Sequence, residues 1–377
     1  MSKESDAHLL GLGPKRILSL DGGGTLGIIE LAFLERVESL LRESRGGDPA
    51  FRLCDWFDLV GGTSTGAIIA ACLSIGYSAA EVTQMYLDLA PKAFRRRRWR
   101  VPGLAPLFDA TPLTLLLNDL FGDRTLESES IRTGLAMMAR RFDTSSPWLI
   151  SNNPRAPFWN DPPDGNFIGN RRYRLADMVR ASTAAPGFFR PQLQQVIEGS
   201  DRALFIDGGL SPYNNPSLAL LMLSQARAFG LQWKVGPENL ILLSIGAGQY
   251  RRRLPAGAKP PFTAGGLALR ALMDTVADGQ LLALTLLQWF GDTPEPWPIN
   301  SELGDLAGEI FGGRALLRFQ RYDLPLEAAW LREHLNLHFT DRQLTAMRRI
   351  DNPAGMKEIH AIALRAAELQ VKAGHFL

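Results

Sequence analysis

The chain has 377 residues, 46% of them hydrophobic and 21% charged, a composition that predicts a globular protein with a sizeable core. Its 41 basic and 39 acidic residues leave a formal net charge of +2, which argues against nucleic acid as the defining partner. Neither Met1–Gly13 nor Leu281–Phe290 has the apolar length of a signal peptide or a membrane span, so we expect a cytoplasmic protein whose membrane contact is peripheral.

The start of the chain predicts two successive β-α units, each with a short apolar strand, a glycine-containing turn and a helix. These elements are the strand Arg16–Leu20, the glycine loop Asp21–Gly27, the helical spacing from Ile28 to Leu41, the apolar segment Trp56–Val60 and an apolar helix after Ser64. Alternating strands and helices predict an α/β fold with a mainly parallel central sheet. Both faces of that sheet should be covered by helices, which gives three layers.

The glycine loop contains three successive glycines, Gly22, Gly23 and Gly24, directly before the first helix. Glycines free the backbone amides to point at one spot, and a helix N-terminus favours negative charge there. An oxyanion hole for acyl transfer needs this arrangement. The alternative is the phosphate loop of sugar kinases and actin-like ATPases, but a strand follows the glycines in those proteins and an amphipathic helix follows them here.

The second turn, Gly62-Thr63-Ser64-Thr65-Gly66, has the pattern of a serine nucleophile on a sharp strand-to-helix elbow. Gly62 and Gly66 supply the small residues that an elbow needs two positions on either side of the serine, because the backbone folds back on itself. The turn also places Ser64 at a helix N-terminus, where the dipole favours developing negative charge. The alternative is an ordinary strand-to-helix connection in which Ser64 only caps the helix.

A base for Ser64 is the next requirement, because a serine hydroxyl is a poor nucleophile at neutral pH. None of the five histidines lies between the glycine loop and His334. The apolar strand Ala203–Ile206 ends instead at Asp207, at the kind of strand end where open α/β sheets gather their sites. We therefore predict a Ser64-Asp207 dyad. Two alternatives are a triad that uses His334 or a later histidine, and an aspartate that only caps the Gly208-Gly209 turn.

The remainder of the chain is predicted to be mostly helical beyond the strand Asn239–Gly246. Helical spacing over Leu267–Phe290 and Asp341–Val371 flanks a strand-like segment, Leu316–Leu324. We predict a catalytic domain over residues 15–248 and a mostly helical C-terminal extension over residues 249–377. The extension should pack on the core, and a regulatory role is one interpretation of it.

These motifs, in this order, resemble the patatin-like phospholipase family. The resemblance covers Lys15–Gly248 and rests on the glycine loop, the elbow, the segment Arg180–Phe189 and Asp207-Gly208-Gly209. It implies a patatin-like three-layer fold and a serine lipid acyl hydrolase of the phospholipase A type, without metal or cofactor.

The resemblance also implies roles for single residues. Ser64 is the nucleophile, Asp207 is the base, and the amides of Gly22, Gly23 and Gly24 form the oxyanion hole. The family usually carries Arg or Lys where this chain has Leu26. The amide donors survive that change, but cationic support for the oxyanion is absent from the loop.

The tail, with Arg318–Asp323 and Asp351-Asn352-Pro353, is similar to the longer bacterial members of the family. Some of these resemble the cyclic-nucleotide-activated phospholipases of bacterial anti-phage signalling. That similarity implies a membrane phospholipid as substrate, peripheral association with the inner membrane, a cyclic dinucleotide as activator and a homo-oligomer. A constitutive general lipid acyl hydrolase and a non-catalytic lipid- or nucleotide-binding effector remain as alternatives.

A basic cluster, Arg95–Arg100, includes Trp99 and precedes several apolar residues. Basic residues attract anionic head groups and exposed apolar residues enter the interface, so the cluster fits a lipid surface. It equally fits a solvated helix end around one buried tryptophan, or a site for a phosphate-containing activator.

Overall fold

The computed structural model describes residues 2–95, 106–200, 202–251 and 264–376. Within these ranges, nine strands form one mixed sheet in the order β5-β6-β3-β2-β1-β7-β9-β8. The ninth strand, β4, pairs with the edge of β3 opposite β2 and β6. The strands are β1 Lys15–Leu20, β2 Leu59–Thr63, β3 Gly134–Arg141, β4 Ser146–Ser151, β5 Gln192–Gln194, β6 Ala203–Asp207, β7 Leu240–Ile245, β8 Gly291–Asp292 and β9 Leu317–Tyr322.

Eleven α-helices in the same described ranges cover the sheet. They are α1 Lys3–Leu10, α2 Gly27–Glu43, α3 Thr65–Ser74, α4 Ala79–Ala93, α5 Ala110–Phe121, α6 Leu175–Ser182, α7 Ser217–Gln225, α8 Ala264–Phe290, α9 Ala328–Leu335, α10 Asp341–Met347 and α11 Met356–Gln370. The helix α3 is buried along its whole length, as its uniformly apolar sequence predicts.

Both faces of the sheet are buried, because successive residues of the central strands enter two different cores. On β1, Ile17 packs in the core under α1, α7 and α8, whereas Leu18 packs in the core under α2 to α6 and α11. On β2, Leu59 packs in the same core as Ile17, and Val60 packs in the same core as Leu18. Five of the eight strand pairings in the described ranges are parallel. The α/β fold with a mainly parallel sheet between helical layers is therefore confirmed.

The strands β2 and β6 meet end to end along β3. β2 runs parallel to β3 and its last residue, Thr63, lies opposite Met138. β6 runs antiparallel to β3 and its last residue, Asp207, lies opposite the next residue, Ala139. The carboxyl ends of the two strands therefore face each other. The reversed direction of β6 is what brings Asp207 to the end of β2.

The C-terminal part of the chain continues the central sheet. β9 pairs with β7 in parallel, from Arg318 opposite Ile241 to Tyr322 opposite Ile245, and α11 packs against α2. The predicted domain boundary at residue 248 remains a prediction. The strands β8 and β9 follow that residue in the chain and belong to the same sheet as β1 to β7. The single helix expected over Asp341–Val371 was wrong: α10 ends at Met347 and α11 begins at Met356. Pro353 lies between them and disfavours helical backbone at the residue before it.

Most of the predicted basic cluster, residues 96–100, lies outside the described residues. In the part of the chain that is described, no helix has both the length and the apolar content that a membrane crossing needs.

Candidate active site

The elbow has the strained backbone that its sequence predicts. Ser64 adopts φ 54° and ψ −118° between the end of β2 and the start of α3, a conformation that residues with a side chain rarely take. A Cβ on Gly62 would lie 2.1 Å from the carbonyl carbon of Gly66, and a Cβ on Gly66 would lie 2.5 Å from the carbonyl oxygen of Leu20. Neither position has room for a larger residue, so both glycines are needed for the turn.

The side chains of Ser64 and Asp207 are joined by a hydrogen bond. The Ser64 hydroxyl donates to Oδ2 of Asp207 over 2.6 Å, and the amide of Gly209 donates to Oδ1 over 2.7 Å. Burial raises the pKa of Asp207 to about 6, against the opposing effects of the Ser64 hydroxyl, the Gly209 amide and the charge of Arg180. At neutral pH the carboxylate is ionised and can accept the serine proton.

The helix α6 supplies two further polar residues to the same place. The hydroxyl of Ser182 accepts a hydrogen bond from the Ser64 amide over 2.9 Å and donates one to the carbonyl of Met138 over 2.6 Å. Arg180 is buried, and its Nη2 donates to the carbonyl of Arg190 over 2.7 Å. Burial lowers the pKa of Arg180 to about 10, which leaves it cationic near Asp207. Ser182 therefore holds the strained backbone of Ser64 in position.

The glycine loop lies beside the elbow, but its three amides are not equivalent. The amide of Gly22 donates to the carbonyl of Asn214 over 2.9 Å, and the Asn214 side chain donates back to the carbonyl of Gly22 over 3.0 Å. Within the described part of the chain, the amides of Gly23 and Gly24 have no protein acceptor. The prediction that all three amides are available to an oxyanion was wrong, because the Gly22 amide is already occupied.

Residues from the C-terminal part of the chain anchor the first residue of the glycine loop. Arg321 donates to Oδ1 of Asp21 over 3.1 Å and to Oδ2 over 2.7 Å, and it also donates to Asp323 over 2.8 Å and to Ser244 over 2.7 Å. Burial raises the pKa of Asp21 to about 6 against the opposing charge of Arg321, so the buried pair is ionised at neutral pH.

The other end of the glycine loop is held by the segment between α10 and α11. The amide of Thr25 donates to the carbonyl of Ile350 over 2.8 Å, and its hydroxyl donates to the carbonyl of Arg349 over 3.3 Å. The amide of Asn352 in turn donates to the Thr25 hydroxyl over 3.2 Å. Both ends of the glycine loop are therefore bound by residues that follow β7 in the chain.

A cavity of about 980 Å³ opens over Ser64, Asp207 and the glycine loop. Its size is at the upper end of the usual range for ligand pockets, about 300–1,000 Å³. Its apolar lining residues include Ile68, Leu89, Phe94, Leu113, Phe188 and Phe189. Its charged lining residues include Arg348 and Arg349. The cavity that contains Ser64 thus has both apolar and charged lining residues.

The histidines lie elsewhere. Among the described residues, no histidine lines this cavity: His8 contacts Asp58, His334 stacks on Trp330, His360 contacts Glu35 and His375 contacts Tyr322. In the same ranges, no group of three or more His, Cys, Asp or Glu side chains has the arrangement of a metal site. Among the described residues, the titratable group that bonds to the Ser64 hydroxyl is Asp207.

A family model described as patatin-like phospholipase matches residues 18–221, which is more than half of the chain. The chain belongs to the patatin-like phospholipase family. The match confirms the family predicted from the sequence and supports the predicted enzyme class, a hydrolase of carboxylic ester bonds. The glycine loop, the elbow and Asp207 all lie inside the matched residues.

Two relatives and one solved structure show the extent of the similarity. A cUMP-AMP-activated phospholipase from Escherichia coli is 30% identical over 240 residues, which span 64% of this chain and 67% of that protein. A cGAMP-activated phospholipase from Escherichia coli (strain TW11681) is 29% identical over 236 residues, which span 61% of each. Human GIVD cytosolic phospholipase A2 is 11% identical, with a TM-score of 0.44, over 98% of this chain and 62% of that one. About a third or more of each protein is unmatched.

In this patatin-like chain, two sets of contacts were not predicted from the sequence. The bond from Ser182 to the elbow lies within a motif whose resemblance was noted without a role for the serine. Asp21 pairs with Arg321, which lies beyond the matched residues and was noted in the sequence only as part of the segment Arg318–Asp323. The sequence alone does not show what Ser182 or Arg321 contacts.

Proposed function

We propose that the chain is a serine lipid acyl hydrolase of the phospholipase A type. The observation that carries this proposal is the 2.6 Å hydrogen bond from the Ser64 hydroxyl to the buried carboxylate of Asp207, at a strained elbow that opens into a cavity with many apolar lining residues. The hydroxyl is aligned with a base, the base is ionised at neutral pH, and the apolar lining suits an acyl chain.

The reaction follows from this geometry. The Ser64 oxygen attacks the ester carbonyl while Oδ2 of Asp207 takes its proton. The carbonyl oxygen becomes an oxyanion, and the amides of Gly23 and Gly24 are the donors available to stabilise it. Collapse of the tetrahedral intermediate breaks the ester bond, and the leaving alcohol, a lysophospholipid, takes the proton from Asp207. Water then attacks the acyl-serine with Asp207 again as base, which releases the fatty acid and restores Ser64.

The second part of the proposal concerns how the enzyme is activated. The two relatives described as activated by cUMP-AMP and cGAMP support a cyclic dinucleotide as activator of this chain. We infer that the activated protein, as a homo-oligomer in the cytoplasm, degrades phospholipid at the surface of the inner membrane in anti-phage defence. A constitutive lipid acyl hydrolase is the competing function, and the same Ser64 and Asp207 geometry favours it equally.

Fatty acid release from phospholipid vesicles tests both functions. The purified protein is assayed without nucleotide and with a panel of cyclic dinucleotides that includes cUMP-AMP and cGAMP. Release only with one nucleotide supports the activated enzyme, and release without any nucleotide rejects obligate activation. Ser64→Ala and Asp207→Ala should each abolish release, whereas His334→Ala should leave it intact. A Ser64→Ala protein that kept its full effect on cells would point to the non-catalytic effector.

A further inference from the structure

Asn214 lies between the glycine loop and the turn that follows Asp207. A Cβ on Gly22 would lie 2.3 Å from Oδ1 of Asn214, and a Cβ on Gly209 would lie 2.7 Å from the same oxygen. Neither distance leaves room for a methyl group, so both glycines are needed to admit the asparagine side chain. Asn214 also lines the cavity that contains Ser64 and Asp207. The asparagine therefore packs against both parts of the proposed catalytic machinery.

Asn214 fixes the two peptide units on either side of Gly22. The Gly22 amide donates to the backbone carbonyl of Asn214 over 2.9 Å, which holds the unit between Asp21 and Gly22. The side-chain amide of Asn214 donates to the Gly22 carbonyl over 3.0 Å, which holds the unit between Gly22 and Gly23. A peptide unit is planar and trans, so its N–H points away from its C=O. A bond that fixes the direction of the Gly22 carbonyl therefore also fixes the direction of the Gly23 amide.

The second available oxyanion donor, the amide of Gly24, is held by backbone alone. The amide of Leu26 donates to the Gly23 carbonyl over 3.1 Å, which fixes the peptide unit that carries the Gly24 amide. Within the described ranges, Asn214 thus supplies the side-chain bond that orients one of the two amides left for an oxyanion.

An asparagine at this position combines a hydrogen-bond donor with the absence of charge. The Cβ position of Gly209 lies 2.7 Å from Oδ1 of Asn214 and 3.0 Å from Oδ1 of Asp207. The two oxygens are therefore less than about 6 Å apart, a distance over which one charge changes the pKa of another. Arg180 already acts on Asp207 with a positive charge. An aspartate at position 214 would lack the donor for Gly22 and would place a second negative charge near the base.

We propose that Asn214 is a positioning residue that directs the Gly23 amide toward the oxyanion without adding a negative charge beside Asp207. This inference deepens the proposed hydrolysis and rests on it. Asn214 acts on the reaction through Gly23, so its effect belongs in kcat, where the oxyanion forms, and not in the binding of the ester.

Hydrolysis of p-nitrophenyl butyrate tests this role, with the activating nucleotide present if the wild-type protein requires one. In Asn214→Ala we expect kcat to fall about 10- to 100-fold, less than the loss of a whole oxyanion donor, with KM within about twofold. Asn214→Asp should also lower kcat and should move the midpoint of the pH profile of kcat/KM upward from about 6, by about one pH unit or more. Tyr213→Phe is the matched control, because it changes the neighbouring residue, which does not line the cavity.

Hydrogen exchange tests the positioning without any hydrolysis. The Gly22 amide is bonded to Asn214, and the side-chain bond in the reverse direction closes this pair. In Asn214→Ala we expect the Gly22 amide to exchange about 3- to 10-fold faster, the usual effect of one lost hydrogen bond. Mass spectrometry of the peptide that contains Gly22 measures this rate. Faster exchange in a protein whose wild-type form hydrolyses no ester would reject the proposed hydrolysis and retain the hold of Asn214 on the loop.

Four results would overturn the role of Asn214. They are an unchanged kcat in Asn214→Ala, a loss that appears in KM alone, a pH midpoint in Asn214→Asp that stays near 6, and an unchanged exchange rate at Gly22. Urea unfolding shows whether each variant is folded. Asn214→Asp keeps the shape of the side chain, so its pH midpoint decides the proposal even if Asn214→Ala does not fold.

Discussion

The replacement of Asp207 by Asn should abolish hydrolysis and stabilise the protein at the same time. Asn has nearly the same shape as Asp, so it can still accept the hydrogen bond from the Gly209 amide, but it cannot take a proton from Ser64. It also removes a negative charge that is buried in the native protein. The two effects have opposite consequences for activity and for the free energy of unfolding, which makes the variant a sharp test of the proposed base.

The size of the stabilisation follows from the pKa of Asp207. Its native pKa is about 6, compared with an ordinary value of 3.8 that we take for the unfolded chain. At about 1.4 kcal/mol per pH unit, this difference corresponds to about 3 kcal/mol. Because the native pKa is the higher one, the native protein binds the proton more tightly. The contribution of Asp207 to stability is therefore greatest below pH 3.8 and is lost as the pH rises through about 6. This loss does not occur in Asp207→Asn, because the asparagine side chain does not ionise.

Urea unfolding of the wild-type and Asp207→Asn proteins at pH 4, 6 and 8 measures the effect. We expect similar free energies of unfolding at pH 4 and a variant that is more stable by up to about 3 kcal/mol at pH 8. Ser64→Ala is the control, since it is also inactive but keeps the buried charge and should not be stabilised. The wild-type kcat/KM should rise with pH through about 6 and then level off. An active variant, or one that is no more stable at pH 8, would refute the assignment of Asp207 as a buried, ionised base.

Three further substitutions test the contacts around Ser64, Asp207 and the glycine loop. Ser182→Ala removes an acceptor for the Ser64 amide and a donor to a buried carbonyl, so we expect a stability loss of about 1–3 kcal/mol and a lower kcat with unchanged KM; an unchanged kcat would show that Ser182 does not position the elbow. Gly66→Ala should destabilise the protein by at least about 3 kcal/mol in urea unfolding, whereas Gly199→Ala, with open space around it, should cost about 1 kcal/mol; equal costs would contradict the crowding. Arg321→Met should cost about 3–5 kcal/mol, and adding both Asp21→Asn and Asp323→Asn should restore most of it if the uncompensated charges are the cause.

The local parts of the fold and the site could be predicted from the sequence. Each β-α unit is encoded in neighbouring residues. Apolar runs predict the strands, helical spacing predicts α2, and the glycines at positions 62 and 66 predict the elbow, where the structure leaves no room for a side chain. Asp207 was a candidate because it ends an apolar strand and the chain lacks a histidine near the core. These inferences needed no knowledge of which strands are neighbours.

The parts that could not be predicted depend on pairings between distant residues. The direction of β6 is set by its pairing with β3, and local sequence does not distinguish an antiparallel from a parallel strand of this length. Arg321 and Asp21 are 300 positions apart, so no spacing rule connects them. The amide of Gly22 looked available because nothing in the sequence places Asn214 opposite it. The oxyanion hole was therefore predicted with one donor too many.

The glycine loop of the proposed catalytic machinery is held partly by residues beyond the family match. Ser64 and Asp207 are fixed by contacts to Ser182 and Gly209, all within the residues that match the family. Both ends of the glycine loop are fixed by residues beyond that match: Arg321 at Asp21, and the segment 349–352 at Thr25. Loss of one oxyanion donor typically lowers kcat by about 10²- to 10³-fold. A ligand that shifts the C-terminal part could therefore switch kcat on or off through the glycine loop while the pKa of Asp207, and with it the pH profile, stays unchanged.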